Sequence, residues 1–190
     1  MIKGGVLREF LEWYSMHEGT ERVREIARQA PEELRAHLDP DVEHVSLLAS
    51  SWYPSRLVAP LLDTLAEGRT DAEVRRMAHD STRWILQNGT SSGYRFVLRT
   101  LVTPDIYALS VDRLWRQFHT TGRREVRLTS KTSSESKVLR WGGHHPVLCT
   151  ITIETMCAVF ETMGRKNVRW DRVECVSRGA KQCVTNLEWA

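Results

Sequence analysis

Residues 124–141 read REVRLTSKTSSESKVLRW, and the fold turns on this stretch. Apolar and polar residues alternate in it. Val126 and Leu128 fall on one side, a polar turn spans Thr132 to Ser136, and Val138, Leu139 and Trp141 follow. A period of two sends successive side chains to opposite faces of an extended chain, so the stretch predicts a β-hairpin beginning after Gly122.

Upstream the period is that of a helix. Val6, Leu7, Phe10, Leu11 and Tyr14 recur at three- and four-residue spacing until Gly19, which places one apolar stripe on one helical face. Thr20 stands where it can cap a second helix carrying Val23, Ile26 and Ala27. Pro31, with Glu32 and Glu33, opens a third carrying Leu34 and Leu38. Leu57, Leu61, Leu62 and Leu65 share a further helical face, with Pro60 as a first-turn residue or a kink. Thr70-Asp71-Ala72-Glu73 has the form of a capping box, in which hydroxyl and carboxylate serve the amides a helix start leaves unpaired. The helix it opens carries Val74, Met77, Ala78, Ser81, Trp84 and Ile85 up to Asn88-Gly89. Two more helical stretches are expected at 94–101 and 106–118.

Downstream of the hairpin, Gly142-Gly143-His144-His145-Pro146 breaks the strand, and residues 147–164 are long enough for one apolar helix ending at Gly164. Strands at 168–175 and 183–189 close the chain around a turn at Ser177–Ala180. The expectation is an α+β fold in a single domain, 1–190. Its helical subregion, 1–120, and the helix between the two hairpins of 123–190 pack on one four-stranded antiparallel sheet.

Composition narrows the function. The 190 residues are 41% hydrophobic, ordinary for a globular domain, and 27 basic against 24 acidic residues give a mixed charge of only +3. That weakens a nucleic-acid partner, and the densest basic segment, Arg113 to Lys137, lacks the interleaved aromatics a stacking surface uses. No apolar run approaches the roughly 20 residues of a membrane span. Arg8, Glu9 and Glu12 interrupt anything like a signal peptide. A cytoplasmic protein with reduced cysteines is expected. There is no Gly-x-Ser-x-Gly elbow, phosphate loop or dinucleotide fingerprint, so no enzymatic activity is expected.

Cys175 and Cys183 stand eight positions apart around a glycine-centred turn. Three readings are open: a disulfide, which a reducing compartment disfavours, a thiolate metal site, or small buried apolar side chains. Cys157, on the helix face of Ile153, is core in all three.

The segments PVLC at 146–149, ETMGR at 161–165, RVECVSRG at 172–179 and Cys183 together resemble the 4-vinyl reductase-like domain. That family includes sensory domains of phenol- and toluene-responsive activators. Its superfamily also holds haem-binding nitric oxide sensors and small subunits of the transport-protein-particle trafficking complex. GGVLREFLEW at 4–13 and SSWYP at 50–54 look like a bacterial family of stand-alone relatives. The resemblance implies a structural zinc site. Cys149, Cys175 and Cys183 match its spacings of 26 and 8, but Arg172 takes the place of the family's glutamate. A nearby carboxylate, Asp171 or Glu174, or else His145, is left to supply the fourth ligand.

Haem requires an axial histidine in an apolar pocket, for which His79 and His119 are the candidates. The Tyr-x-Ser-x-Arg motif of the haem sensors does not follow Tyr14, Tyr53, Tyr94 or Tyr107, so haem is not expected. The resemblance also implies a small-molecule cavity between helices and sheet. Trp84, Tyr94, Phe96, Tyr107, Trp115 and Phe118 are candidate lining and His119 a polar contact, though aromatics on the apolar faces of helices are more often filled core. The function expected is a sensory module for a small hydrophobic or aromatic molecule, signalling through a partner protein. The alternative is an interaction or scaffolding subunit. In both, a homodimer through the N-terminal helices is expected, because those short helices need an apolar partner.

Overall fold

The computed structural model describes residues 1–88 and 102–190. A short strand β1 (Ile2–Lys3) pairs antiparallel with β2 (Trp52–Tyr53), holding the start of the chain against a segment some fifty residues on. Helix α1 (Gly4–Glu18) buries the predicted stripe of Leu7, Phe10, Leu11 and Tyr14, widened by Trp13. It stops at Gly19, whose φ of +91° is open to glycine at little cost. Helix α2 (Thr20–Gln29) starts at once. Thr20 lies inside it and does not cap it; its hydroxyl pairs with that of Ser15 at 2.9 Å.

A single turn of helix, α3 (Glu32–Arg35), leads on to α4 (Ser55–Ala66), which contains Pro60 in its interior and buries Leu57, Val58, Leu61, Leu62 and Leu65. The capping box forms as expected at the head of α5 (Asp71–Asn88). The Thr70 amide donates to Glu73 at 2.7 Å, and the Glu73 amide donates to the Thr70 hydroxyl at 3.3 Å. The helical stretch expected at 94–101 lies outside the described residues. Helix α6 (Pro104–Phe118) is capped by Thr103, which accepts from the Ile106 amide.

The hairpin is longer and its turn tighter than the sequence suggests. Strands β3 (Arg123–Ser130) and β4 (Ser133–Leu139) leave only Lys131 and Thr132 between them. Ser134 and Ser136, expected in the turn, are strand residues facing the core, and buried Arg124 donates to the Ser136 hydroxyl at 3.3 Å. A small hydroxyl that finds such a partner, as Ser136 does, can sit where an apolar side chain is expected.

Helix α7 (Pro146–Thr162) is buried on nearly every side, as an almost uniformly apolar helix must be. It packs along α5 and against the inner face of the sheet, where Phe160, fully buried, meets Tyr107 and Trp189 edge to face at 5.5 and 4.9 Å. Strands β5 (Arg169–Glu174) and β6 (Gln182–Glu188) complete an antiparallel sheet of order β3-β4-β6-β5, with β6 paired to β4 so that Val138 faces Cys183. The fold is α+β. The apolar faces of α1 and α2 are covered within the chain by each other and by α4 and α5, which removes the reason for expecting a homodimer.

Candidate metal centre

Four side chains from four parts of the chain converge below the β4–α7 junction. Cys149 lies in the first turn of α7, Cys175 just after β5, Cys183 near the start of β6, and His144 in the loop ahead of α7. Their ligand atoms all lie within 4.8 Å of one another, and the three cysteines are 1 to 3% exposed. All four cysteines of the chain are free thiols in this structure. Cys157 is buried core.

The spacing of the four atoms is the informative quantity. Tetrahedral zinc with Zn–S of about 2.3 Å and Zn–N of about 2.05 Å requires sulfur–sulfur edges of about 3.8 Å and sulfur–nitrogen edges of about 3.5 Å. The Cys175 and Cys183 sulfurs are 3.7 Å apart, and the Cys175 sulfur is 3.5 Å from His144 Nε2. A closed set of three sulfurs and one imidazole leaves no open position for a substrate, which is the pattern of a structural rather than a catalytic metal. The Cys149 and Cys183 sulfurs interact through a hydrogen bond. That bond, then contacts with His144 and the Val176 backbone, pull the Cys183 thiol well down, while the same bond and burial push Cys149 up.

The loop geometry explains why His144 reaches the sulfurs. A Cβ on Gly143 would run against the Ser55 side chain at 2.7–2.8 Å, so only glycine lets the loop pass this close to α4. The His144 ring then stands edge-on to Trp141 at 5.3 Å. His145, expected as a ligand, turns away and pairs its Nε2 with Asp63 at 3.0 Å. Asp171 and Glu174 are exposed, and Glu174 takes a hydrogen bond from Gln182. Arg172, in place of the family's glutamate, donates to the Thr150 hydroxyl at 2.9 Å. The fourth candidate ligand is therefore His144, five residues ahead of Cys149.

The aromatic residues proposed as pocket lining are only partly brought together. Trp115 and His119 stack at 3.9 Å, and Trp141 lies edge-on to both, so this group continues to His144 as a packed series of rings. His119 is kept neutral: burial, then the charges of Arg124 and the amino terminus, lower its pKa to about 3. Tyr107 packs on Phe160, Trp84 is half-buried on α5, Phe118 is 40% exposed, and Tyr94 and Phe96 lie outside the described residues. Two depressions stand out on the described surface, and neither is lined by Trp84, Tyr107, Trp115, Phe118 or His119.

No protein-family model matches the sequence, and no curated protein matches it. Solved structures do match in fold. An H-NOX protein from S. oneidensis in the Fe(II)NO ligation state aligns over 100% of this chain and 99% of its own, with a TM-score of 0.69 at 12% identity. A mutant of the T. tengcongensis H-NOX protein gives 0.69 at 12% over 99% and 97%. A structure concerned with haem redox potential and porphyrin distortion gives 0.66 at 11% over 98% and 99%. The architecture is thus that of the H-NOX fold along the whole chain. The wider superfamily of the sequence resemblance agrees with this, while the narrower likeness to the 4-vinyl reductase-like domain does not emerge.

These neighbours correct the expectation that haem has no place here. Among them is a structure concerned with haem redox potential, so the missing Tyr-x-Ser-x-Arg pattern is not enough to set haem aside. His79 is held between Glu154 and Glu161 at 3.1 and 3.6 Å, and His119 is locked in its ring stack. The space between α7 and the sheet is occupied by Tyr107, Arg124, Met156 and Phe160.

Proposed function

We propose that this chain is a non-enzymatic sensory module on the H-NOX fold that binds a small molecule and reports to a partner protein. In this reading one zinc ion, held by His144, Cys149, Cys175 and Cys183, fastens the sheet to α7. The observation that carries the sensory reading is the agreement with H-NOX structures over essentially the full length of both chains. The metal reading rests on the match of 3.7 and 3.5 Å to tetrahedral edges. A metal there joins the start of α7 to β6 and to the turn after β5, so a shift of α7 caused by a ligand is transmitted to the sheet. No observation on the described residues favours the interaction-subunit alternative.

The test is native mass spectrometry and absorption spectroscopy of protein purified without denaturation, followed by thermal melting with haem, nitric oxide and a set of small aromatics. A retained small molecule lost on denaturation, or a compound that raises the melting midpoint, supports the reading. Ligand at a hundredfold excess over Kd stabilises the folded state by about 2.7 kcal/mol. A chain that retains nothing and melts identically with every compound overturns it.

A further inference from the structure

Five residues along α7 from Cys149, the carboxylate of Glu154 is buried with its side chain 7% exposed. It accepts from Trp170 Nε1 at 2.6 Å, lies 3.1 Å from His79 Nδ1 and 3.6 Å from Arg75 Nε, and so ties α5, α7 and β5 together. Arg75 lies flat over Trp170, its guanidinium carbon 3.8 Å from the ring centre. These groups satisfy one another and form the floor of an open depression of about 410 Å³, to which Arg76 of α5 and Arg169 of β5 add two exposed guanidiniums. Among the described residues, neither Arg76 nor Arg169 has a carboxylate within ion-pair distance. Three guanidiniums against one carboxylate leave the lining at +2, since the charge His79 can take up is offset by Glu161 at 3.6 Å.

We propose that this depression binds a phosphate monoester of a small metabolite. A phosphate monoester carries about −1.5 to −2 at neutral pH, which matches the lining. Guanidinium forks pair with phosphate oxygens through two parallel hydrogen bonds, and two of the three here have no carboxylate within ion-pair distance among the described residues. The volume is that of about a dozen waters, enough for the phosphate group and a small organic body. Bound between Arg76 and Arg169, the ligand bridges α5 to the outer strand of the sheet. The site is independent of the sensory reading and of the metal centre.

Isothermal titration calorimetry of the full chain with glycerol 3-phosphate tests this, with malate as a carboxylate dianion of similar charge at the same ionic strength. The comparison variants are Arg76→Gln, Arg169→Gln and the double variant. Both arginines are exposed, so circular dichroism and melting midpoints should be unchanged. The expected result is saturable binding of glycerol 3-phosphate, weakened about tenfold or more by each substitution, the scale of a lost charge-assisted hydrogen bond, with malate binding more weakly. Absence of binding at millimolar concentration, undiminished binding by the double variant, or equal binding of malate each overturns the proposal.

Discussion

Glu154→Gln isolates the role of the one carboxylate buried in α7. Glutamine keeps an oxygen for Trp170 Nε1 but removes the charge that His79 and Arg75 face at 3.1 and 3.6 Å. A hydrogen bond to a charged group contributes about 1.5–3 kcal/mol. The His79 contact belongs at the low end, because 24% of its side chain is exposed and solvent screens it. The variant should lose about 2 kcal/mol, or about 4–8 °C in melting midpoint for a chain of this size. The loss should also depend on pH. The hydrogen bond to Glu154 raises the His79 pKa above its ordinary value. A raised folded-state pKa means that the stabilisation is complete below the unfolded value of about 6.5 and disappears as pH rises through the folded value. Parent and variant should therefore differ most near pH 5–6, and above the His79 titration the difference should shrink to the part that Arg75 and Trp170 contribute. Thermal melts followed by circular dichroism across this range measure it. A variant that melts with the parent at every pH would show that Glu154 does not hold α5 and β5 to α7.

Phe160→Ala removes a fully buried ring in edge contact with Tyr107 and Trp189, and should cost about 3–5 kcal/mol by urea denaturation at an unchanged slope. Thr70→Ala deletes half of the capping box at α5 and should cost about 1 kcal/mol by the same assay, with no effect on metal content. Gly143→Val should displace the loop from Ser55, and with it His144, lowering metal retention more than it lowers helix content.

The helices at the start of the chain are legible in the sequence because their signals are local: the stripe of α1 and the capping box of α5 need only neighbours three and four residues away. The hairpin is legible in type but not in extent. Ser134 and Ser136 read as turn residues, and only the fold shows that Arg124 comes across from β3 to meet Ser136 under the sheet. Spacing singles out the three cysteines of the candidate metal centre but not the fourth candidate ligand. Adjacent residues of an extended loop point in opposite directions, so nothing in Gly142-Gly143-His144-His145 tells which histidine faces the sulfurs. That choice is made by Asp63 on α4, which takes His145. Glu154 carries a signal that the periodicity alone does not use: a lone carboxylate within an apolar helix implies a buried partner, here supplied by α5 and β5. The absent tyrosine motif misleads on haem because a short motif does not stand for a whole architecture, whereas the layers of the fold are shared at 12% identity.

The four-ligand centre is tested most directly by native mass spectrometry of the reduced protein against its denatured mass, with zinc determined on the same sample. One zinc per chain, lost in both Cys175→Ser and His144→Ala but retained in His145→Ala, is the predicted result. A metal-free parent, or zinc that depends on His145 and not on His144, would contradict it.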